Sequence, residues 1–260
     1  MNIKACIKKE FLDGIRNYRF LVIVVSFLFF AILDPVMSKF ILPEIMKSQF
    51  PGLPEEALAS LMDNSQIGII RTYLNDVFQI GMLVVILTLS GVVAQEINQK
   101  TIIFPVTSGK KFHQILISKF IVYGIVLMVS AVFCAMVNYL YTGVLFGFDM
   151  TSPVPVLRAG FLQGFYMLFL LSLLMLVGSM IKKPMVAGLI VLIPAWFMGA
   201  LGNLLNINRY LPSELIAESQ LLSVVPSSSL ITSIISTIVL SVLAFGFTVI
   251  RLRKSDLAWR

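Results

Sequence analysis

The chain alternates between long apolar runs and short polar connections. Six of the runs come near the roughly 20 residues that an α-helix needs to cross the hydrocarbon core of a bilayer. They cover residues 20–40, 73–94, 115–139, 157–181, 185–205 and 229–250. Six buried core helices in a chain of this length would leave nothing to cover them. The pattern therefore predicts an all-α integral membrane protein with six transmembrane helices.

Composition agrees with this prediction. Of the 260 residues, 58% are hydrophobic and 13% are charged, whereas about 25% are charged in an average soluble domain. No linker or low-complexity tract divides the chain, so we expect a single membrane domain over residues 1–260, with a six-span bundle over 20–250 and a basic tail over 251–260. The two cysteines, Cys6 and Cys134, would lie at different depths, so they indicate no disulfide framework.

The first 19 residues are predicted to form an amphipathic helix on the membrane surface. Apolar side chains recur there at helical spacing, and basic side chains surround them. The apolar positions are Ile3, Ile7, Phe11 and Ile15, and the basic ones are Lys4, Lys8, Lys9 and Arg16.

The distribution of basic residues predicts the orientation. Fifteen of the 20 lysines and arginines belong to the two termini and to the connections that share their side: Lys4, Lys8, Lys9, Arg16, Arg19, Lys100, Lys110, Lys111, Lys119, Lys182, Lys183, Arg251, Arg253, Lys254 and Arg260. The positive-inside rule places these segments in the cytoplasm. We therefore expect a multi-pass protein of the cell membrane with both termini cytoplasmic. The basic balance then reflects topology and contact with lipid, and no nucleic-acid partner is indicated.

The connections differ in length and character. On the outer side, a short helix is predicted from Pro54 to about Met62, an irregular loop in the second connection, and another short helix over residues 212–225. On the inner side, Lys182 to Pro184 predicts a minimal turn, whereas residues 95–114 form a much longer connection.

Catalytic motifs are missing from the sequence. The stretch TSGKKF resembles the end of a phosphate-binding loop, but Phe104 stands where that motif needs its first glycine, and Lys111 stands where it needs serine or threonine. The single histidine, His113, excludes a multi-histidine metal site. The chain is therefore not expected to be an enzyme or to hold a metal or cofactor of its own.

Polar residues within the spans are candidates for a translocation path, because ionisable groups at membrane depth tend to face a bundle interior or a water-filled path. We select Asp34, Asp76, Gln79 and Asn138. The alternative is that both aspartates lie at the outer headgroup boundary and need no partner. Separately, the small-residue spacing of Gly160 and Gly164 is typical of closely packed membrane helices.

The inner connection after the second span contains an apolar run, residues 102–106, that is too short to cross a membrane. Polar residues flank it on both sides. Such a run is typical of a helix that lies on the inner membrane surface, or of one that docks into a groove on a cytoplasmic partner.

This connection resembles that of the permease subunits of type-2 ABC exporters, which reads approximately E-x-x-x-G-T-l-x-l-l-l-t-s-P-v-s-R and closes with G-K at the third span. Without gaps, the matching residues are Glu96, Thr101, Thr107, Ser108 and Lys119. The sequence departs from the pattern at Lys100, Gly109, Phe112 and Ser118, where the family has Gly, Pro, the first Arg and Gly. The basic N-terminal helix, the six spans and the polar segment between the fifth and sixth spans resemble the family as well.

The resemblance implies a coupling helix after the second span that contacts a separate ATPase subunit. The residues it assigns to this contact are Glu96, Thr101, Ile102, Phe104, Thr107, Lys111 and His113. It further implies two cytoplasmic ABC ATPase subunits that carry ATP and Mg²⁺, and a second permease chain, identical or related. Two other classes stay open, namely an ion-gradient-driven secondary transporter and a non-transporting membrane module that recruits a partner or acts as a sensor. The substrate is left open.

Overall fold

A computed structural model of the chain describes residues 3–50, 65–101, 112–149, 152–223, 225 and 227–256. Within these ranges the secondary structure is helical and contains no strand. Six of the helices are long and apolar enough to cross a membrane. The predicted all-α class is thus confirmed, and so is the presence of six helices of the length and hydropathy that spans require. The predicted outer helix from Pro54 to Met62 and the apolar run at 102–106 lie outside the described residues.

The described residues of the amino-terminal half form four helices, and two of them include a π-helical turn. The first, α1, covers Ile3–Arg16, and Tyr18 in the left-handed region separates it from α2. Helix α2, Arg19–Gln49, consists of Arg19–Val36, the π turn Met37–Ile41 and Leu42–Gln49. Helix α3, Gln66–Asn98, consists of Gln66–Asp76, the π turn Val77–Gly81, Met82–Leu89 and Gly91–Asn98. Helix α4 covers Phe112–Phe146.

In the carboxyl-terminal half, the described residues form three further spans and one short helix. Helix α5 covers Val154–Met180 and α6 covers Pro184–Leu205. A 3₁₀ turn at Asn208–Tyr210 precedes the short helix α7, Glu214–Leu221, which lies within the predicted range 212–225. Helix α8 covers Ser228–Asp256. The spans are α2, α3, α4, α5, α6 and α8.

Several spans are longer than hydropathy predicts. Helix α2 runs on to Gln49, and α4 runs on to Phe146. The reason is that hydropathy marks only the part of a helix suited to hydrocarbon, whereas backbone hydrogen bonding continues through polar residues such as Glu44. The second outer connection is correspondingly shorter than predicted. The turn at Lys182 is as short as predicted, since Pro184 begins α6.

Successive spans run in opposite directions through the bundle. Helix α2 begins beside α4 at the end that carries α1, where Arg19 contacts Tyr123. It finishes at the opposite end, where Lys39 donates to the carbonyl of Leu145. Helix α8 ends on the same side as α1, because Arg251 contacts the end of α5 there. We call these the α1 end and the opposite end of the bundle. Both described chain ends therefore lie on one side.

Helix α1 packs across the start of α4 and α2. Its buried face consists of Cys6, Glu10 and Gly14 at a spacing of four residues, while Phe11 and Ile15 are about half exposed. The predicted helix is confirmed. The face it turns toward the protein is the one that carries small residues and a single acid, because these permit a close approach to the bundle.

The backbones of helices α4 and α5 approach each other closely at two glycines of α5. A Cβ placed on Gly160 would lie 2.9 Å from the Cα of Val132 and 3.1 Å from the Ala131 carbonyl oxygen, and one on Gly164 would lie 3.2 Å from the Cα of Met128. The missing side chains therefore allow the two backbones to touch, as the small-residue spacing predicts.

Replacing Gly160 by alanine is expected to lower the free energy of unfolding by about 1 to 2 kcal/mol, because the new methyl group must push two backbones apart. The matched control is Gly246→Ala on α8, where an added Cβ meets nothing within 4 Å. Thermal unfolding of both variants in detergent measures the effect. An unfolding midpoint for Gly160→Ala equal to that of Gly246→Ala would contradict the close packing of α4 on α5.

Candidate functional site

Three helices bring charged side chains together at the α1 end of the bundle. Glu10 comes from the buried face of α1, Glu96 from the last two turns of α3, and Lys119 from the start of α4. The Lys119 ammonium donates to Glu10 Oε2 at 2.7 Å and to Glu96 Oε1 at 2.8 Å. The Lys119 and Glu10 side chains are each 1% exposed. One buried cation therefore joins α1, α3 and α4.

Lys9 is a second, more exposed cation that contacts the same two carboxylates. Its ammonium lies 2.9 Å from Glu10 Oε1 and 2.9 Å from Glu96 Oε1. We call Lys9, Glu10, Glu96 and Lys119 the charge cluster. Two positive and two negative groups alternate in it, so the cluster is neutral overall. Each carboxylate contacts two ammonium groups. Loss of one lysine would therefore leave the negative charge of a buried carboxylate only partly compensated.

The charge cluster also sets the ionisation of Lys9. Burial alone would lower the pKa of the Lys9 ammonium, but the carboxylates of Glu96 and Glu10 and their hydrogen bonds raise that pKa well above its ordinary value. A lysine whose pKa is raised on folding contributes its stabilisation fully below its ordinary pKa of 10.5 and loses it as pH rises through the folded value. The Lys9 contribution is therefore constant across neutral pH.

A second ionic contact lies beside the charge cluster. Arg19, at the start of α2, donates to Asp13 of α1 at 3.0 Å and to the Tyr123 hydroxyl of α4 at 2.9 Å. Its guanidinium carbon also lies 6.0 Å from the centre of the Tyr123 ring. Arg19 therefore fixes the turn between α1 and α2 against the same helix, α4, that supplies Lys119.

The charge cluster lies at the base of the predicted coupling region. Glu96 belongs to the cluster, and the Thr101 hydroxyl donates to the Glu96 carbonyl oxygen at 3.4 Å. His113 lies on the first turn of α4 with its side chain exposed. The other residues assigned to that region are outside the described residues, namely Ile102, Phe104, Thr107 and Lys111. The charge cluster thus joins the helices that precede and follow the segment 102–111, α3 through Glu96 and α4 through Lys119.

The predicted translocation-path residues lie in the other half of the bundle. Asp34 of α2 is buried and Asp76 of α3 is half-buried, and their carboxyl groups are close enough to interact with each other. Asn138 of α4 is fully buried, and its Nδ2 donates at 3.0 Å to the carbonyl of Ala31, one turn before Asp34. Gln79 is exposed and bonds to Asn75 on its own helix. The structure therefore groups Asp34, Asp76 and Asn138 and leaves Gln79 on the outer surface of α3.

The bond from Asn138 has a physical reason in the sequence of α2. In a regular helix the carbonyl of residue 31 accepts from the backbone N–H of residue 35, but Pro35 has no N–H. Backbone groups at membrane depth must find a partner inside the protein. The Asn138 side chain supplies that partner.

Sequence reasoning missed the roles of Lys9, Glu10 and Lys119. It matched Lys119 to the closing lysine of the family pattern, placed Lys9 among the basic side chains around the N-terminal helix, and assigned no role to Glu10. The stripe of Cys6, Glu10 and Gly14 was the available signal, because an acid at four-residue spacing from small residues indicates a face that packs closely. The pair formed by Arg158 and Glu218, which joins α5 to α7 at 2.9 Å, also went unforeseen.

Comparison of the chain with protein-family models and with curated proteins finds no match.

Proposed function

We propose that the chain is the membrane subunit of an ATP-driven exporter, a permease that pairs with a second permease chain and couples to two separate ATPase subunits. The observation that carries the proposal is the charge cluster at the base of the segment 102–111. This is the segment whose sequence resembles the coupling helix of type-2 ABC exporter permeases.

The charge cluster supports coupling for a mechanical reason. A segment that receives force from a partner can move the spans only if its ends are fixed to them. Here Glu96 lies on α3 before the segment and Lys119 lies on α4 after it, and the two are in contact at 2.8 Å. On α1, Glu10 contacts Lys119 and Lys9 contacts Glu96. A displacement of the segment would therefore move α1, α3 and α4 together.

The charge of the α1 end supports a cytoplasmic location for this segment. Lys4, Lys8, Lys100, Lys182 and Lys183 are all exposed at that end of the bundle. By the positive-inside rule such an end faces the cytoplasm. Soluble ATPase subunits in the cytoplasm could therefore bind the segment 102–111 there. ATP-driven closure of these subunits would then rock the two permease halves and open a path between them.

The proposal predicts that an ATPase co-purifies with the tagged chain in mild detergent from cells that express the neighbouring genes. The variant that tests the segment is Ile102→Ala with Phe104→Ala, because changing Glu96 would unbalance the charge cluster and disturb the bundle itself. We expect ATPase activity in the eluate of the unaltered chain and a drop of about tenfold for the variant, which corresponds to about 1.4 kcal/mol of lost contact energy.

The control replaces two exposed apolar residues at the opposite end, Leu204→Ala with Val225→Ala, whose side chains are 79% and 76% exposed. This variant should retain the full activity. Absence of ATPase activity from the eluate of the unaltered chain would contradict the exporter function. Equal activity for the segment variant and the control would place the contact elsewhere.

The contact between Asp34 and Asp76 favours a second candidate, an ion-gradient-driven transporter, because such proteins place acids in the bundle where they bind the coupling ion. Substrate uptake by vesicles that contain the protein distinguishes the two. Transport that requires ATP and the ATPase supports the exporter, and transport that requires only an ion gradient supports the second candidate.

A further inference from the structure

Asp34 and Asp76 each lie shortly before a π turn in neighbouring helices. The turns are Met37–Ile41 in α2 and Val77–Gly81 in α3. Such π turns occur frequently at functional sites. Helices α2 and α3 pack against each other, and the carboxyl groups of Asp34 and Asp76 interact between them.

The pair has no positive partner in the described part of the chain. Every salt bridge described there involves other acids, namely Glu10, Asp13, Glu96 and Glu218. Asp34 is 6% exposed, and its Oδ2 has no hydrogen-bond partner there. Buried carboxylates are normally paired or bound to a cation, since an uncompensated charge at membrane depth is costly. The charge of the acid pair must therefore be balanced by a proton that the two carboxyl groups share or by a bound cation.

Asn138 provides an independent third oxygen. It is 0% exposed, and its Nδ2 faces the Ala31 carbonyl, which can only accept a hydrogen bond. The amide oxygen must therefore point away from that carbonyl. This Oδ1 is buried and has no partner among the described residues. The Ala31 carbonyl to which Asn138 is anchored lies one turn before Asp34 on α2. A second buried acceptor without a described donor is therefore anchored to the same part of α2 as Asp34.

We propose that Asp34, Asp76 and the side-chain oxygen of Asn138 form a binding site for a hard cation such as Na⁺, Mg²⁺ or Ca²⁺. Carboxylate and amide oxygens are the ligands that these cations prefer. A soft metal is not favoured, because the nearby thiol of Cys134 faces the Val24 carbonyl of α2. This inference goes beyond the proposed function, since it concerns a property of this chain alone and needs no ATPase subunit.

The experiment measures thermal unfolding of the purified full chain in detergent, in NaCl, MgCl₂ or CaCl₂ against choline chloride at constant ionic strength. A ligand present at about 100 times its Kd should raise the unfolding midpoint by about 5 to 10 °C. We expect this rise with at least one cation. We expect it to be lost in both Asp34→Asn and Asp76→Asn, which keep the side-chain size but remove the charge.

The matched control is Glu44→Gln, an exposed acid on the same helix as Asp34, which should keep the full shift. Two results would overturn the proposal: a midpoint in the unaltered chain that none of the three cations raises, or a shift that persists in both aspartate variants. If Asp34→Asn does not fold, Asp76→Asn and Asn138→Ser decide the question by the same criterion. Failure here leaves the co-purification result on the ATPase unaffected, so the two proposals fail separately.

Discussion

Replacing Lys119 by methionine is expected to lower the free energy of unfolding by about 3 to 5 kcal/mol, the cost of removing one partner from a buried ion pair. The methionine fills most of the space but removes the charge that joins Glu10 to Glu96. Glu10 then lies at 1% exposure with Lys9 as its only described partner. Thermal or denaturant unfolding in detergent measures the loss.

We expect this loss of stability to weaken mainly the packing of α1 against the bundle. Because α1 packs mainly on α4, limited proteolysis or hydrogen exchange should show that α1 opens in Lys119→Met before the six spans do. Lys119→Arg keeps the charge and should retain most of the stability. In a double-mutant cycle, Glu10→Leu combined with Lys119→Met should cost less than the sum of the two single changes. Stability of Lys119→Met within about 0.5 kcal/mol of the unaltered chain, the range of an ordinary surface substitution, would show that the charge cluster does not hold α1.

Replacing Asn138 by leucine is expected to cost about 3 kcal/mol, since an unsatisfied backbone group in the membrane interior costs several kcal/mol. Leucine has nearly the same volume but cannot donate to the Ala31 carbonyl. That carbonyl would then be left without its 3.0 Å bond from α4. Unfolding in detergent again gives the free energy.

The cause of this loss can be isolated with Pro35→Ala. Alanine restores the backbone N–H that a regular helix offers to the Ala31 carbonyl, so Asn138→Leu should cost much less in the Pro35→Ala background. The control is Gln163→Leu, which removes a similar bond from a buried amide to the Leu74 carbonyl of α3. Its cost should be independent of residue 35. An equal cost of Asn138→Leu in both backgrounds would mean that the proline gap is not what Asn138 fills.

The proposed coupling region and the proposed cation site lie in different halves of the bundle. Helices α3 and α4 connect them, because α3 carries both Asp76 and Glu96 and α4 carries both Lys119 and Asn138. If the proposed exporter function holds, a movement of the segment 102–111 would therefore reach the residues around Asp34 through two continuous helices.

Part of the candidate site was predictable from the sequence and part was not. Glu96, Thr101 and His113 were assigned through the resemblance of one connection, and Asp34, Asp76 and Asn138 through their polarity inside apolar runs. Neither polarity nor the resemblance of a connection indicates which side chains touch. Gln79 illustrates the limit, because its polarity within a span is the same signal, yet α3 turns it outward.

The sequence by itself determined the all-α class, the six spans and the one-sided distribution of basic residues. These are sums over local composition, and a span needs only enough consecutive apolar residues. Only the tertiary structure decided that Lys119 joins Glu10 to Glu96, that Asp34 meets Asp76, and that Asn138 fills the gap left by Pro35. Each of these contacts joins residues from different helices. It depends on how each helix is rotated about its axis and where a π turn shifts its register, and close packing of the whole bundle sets both.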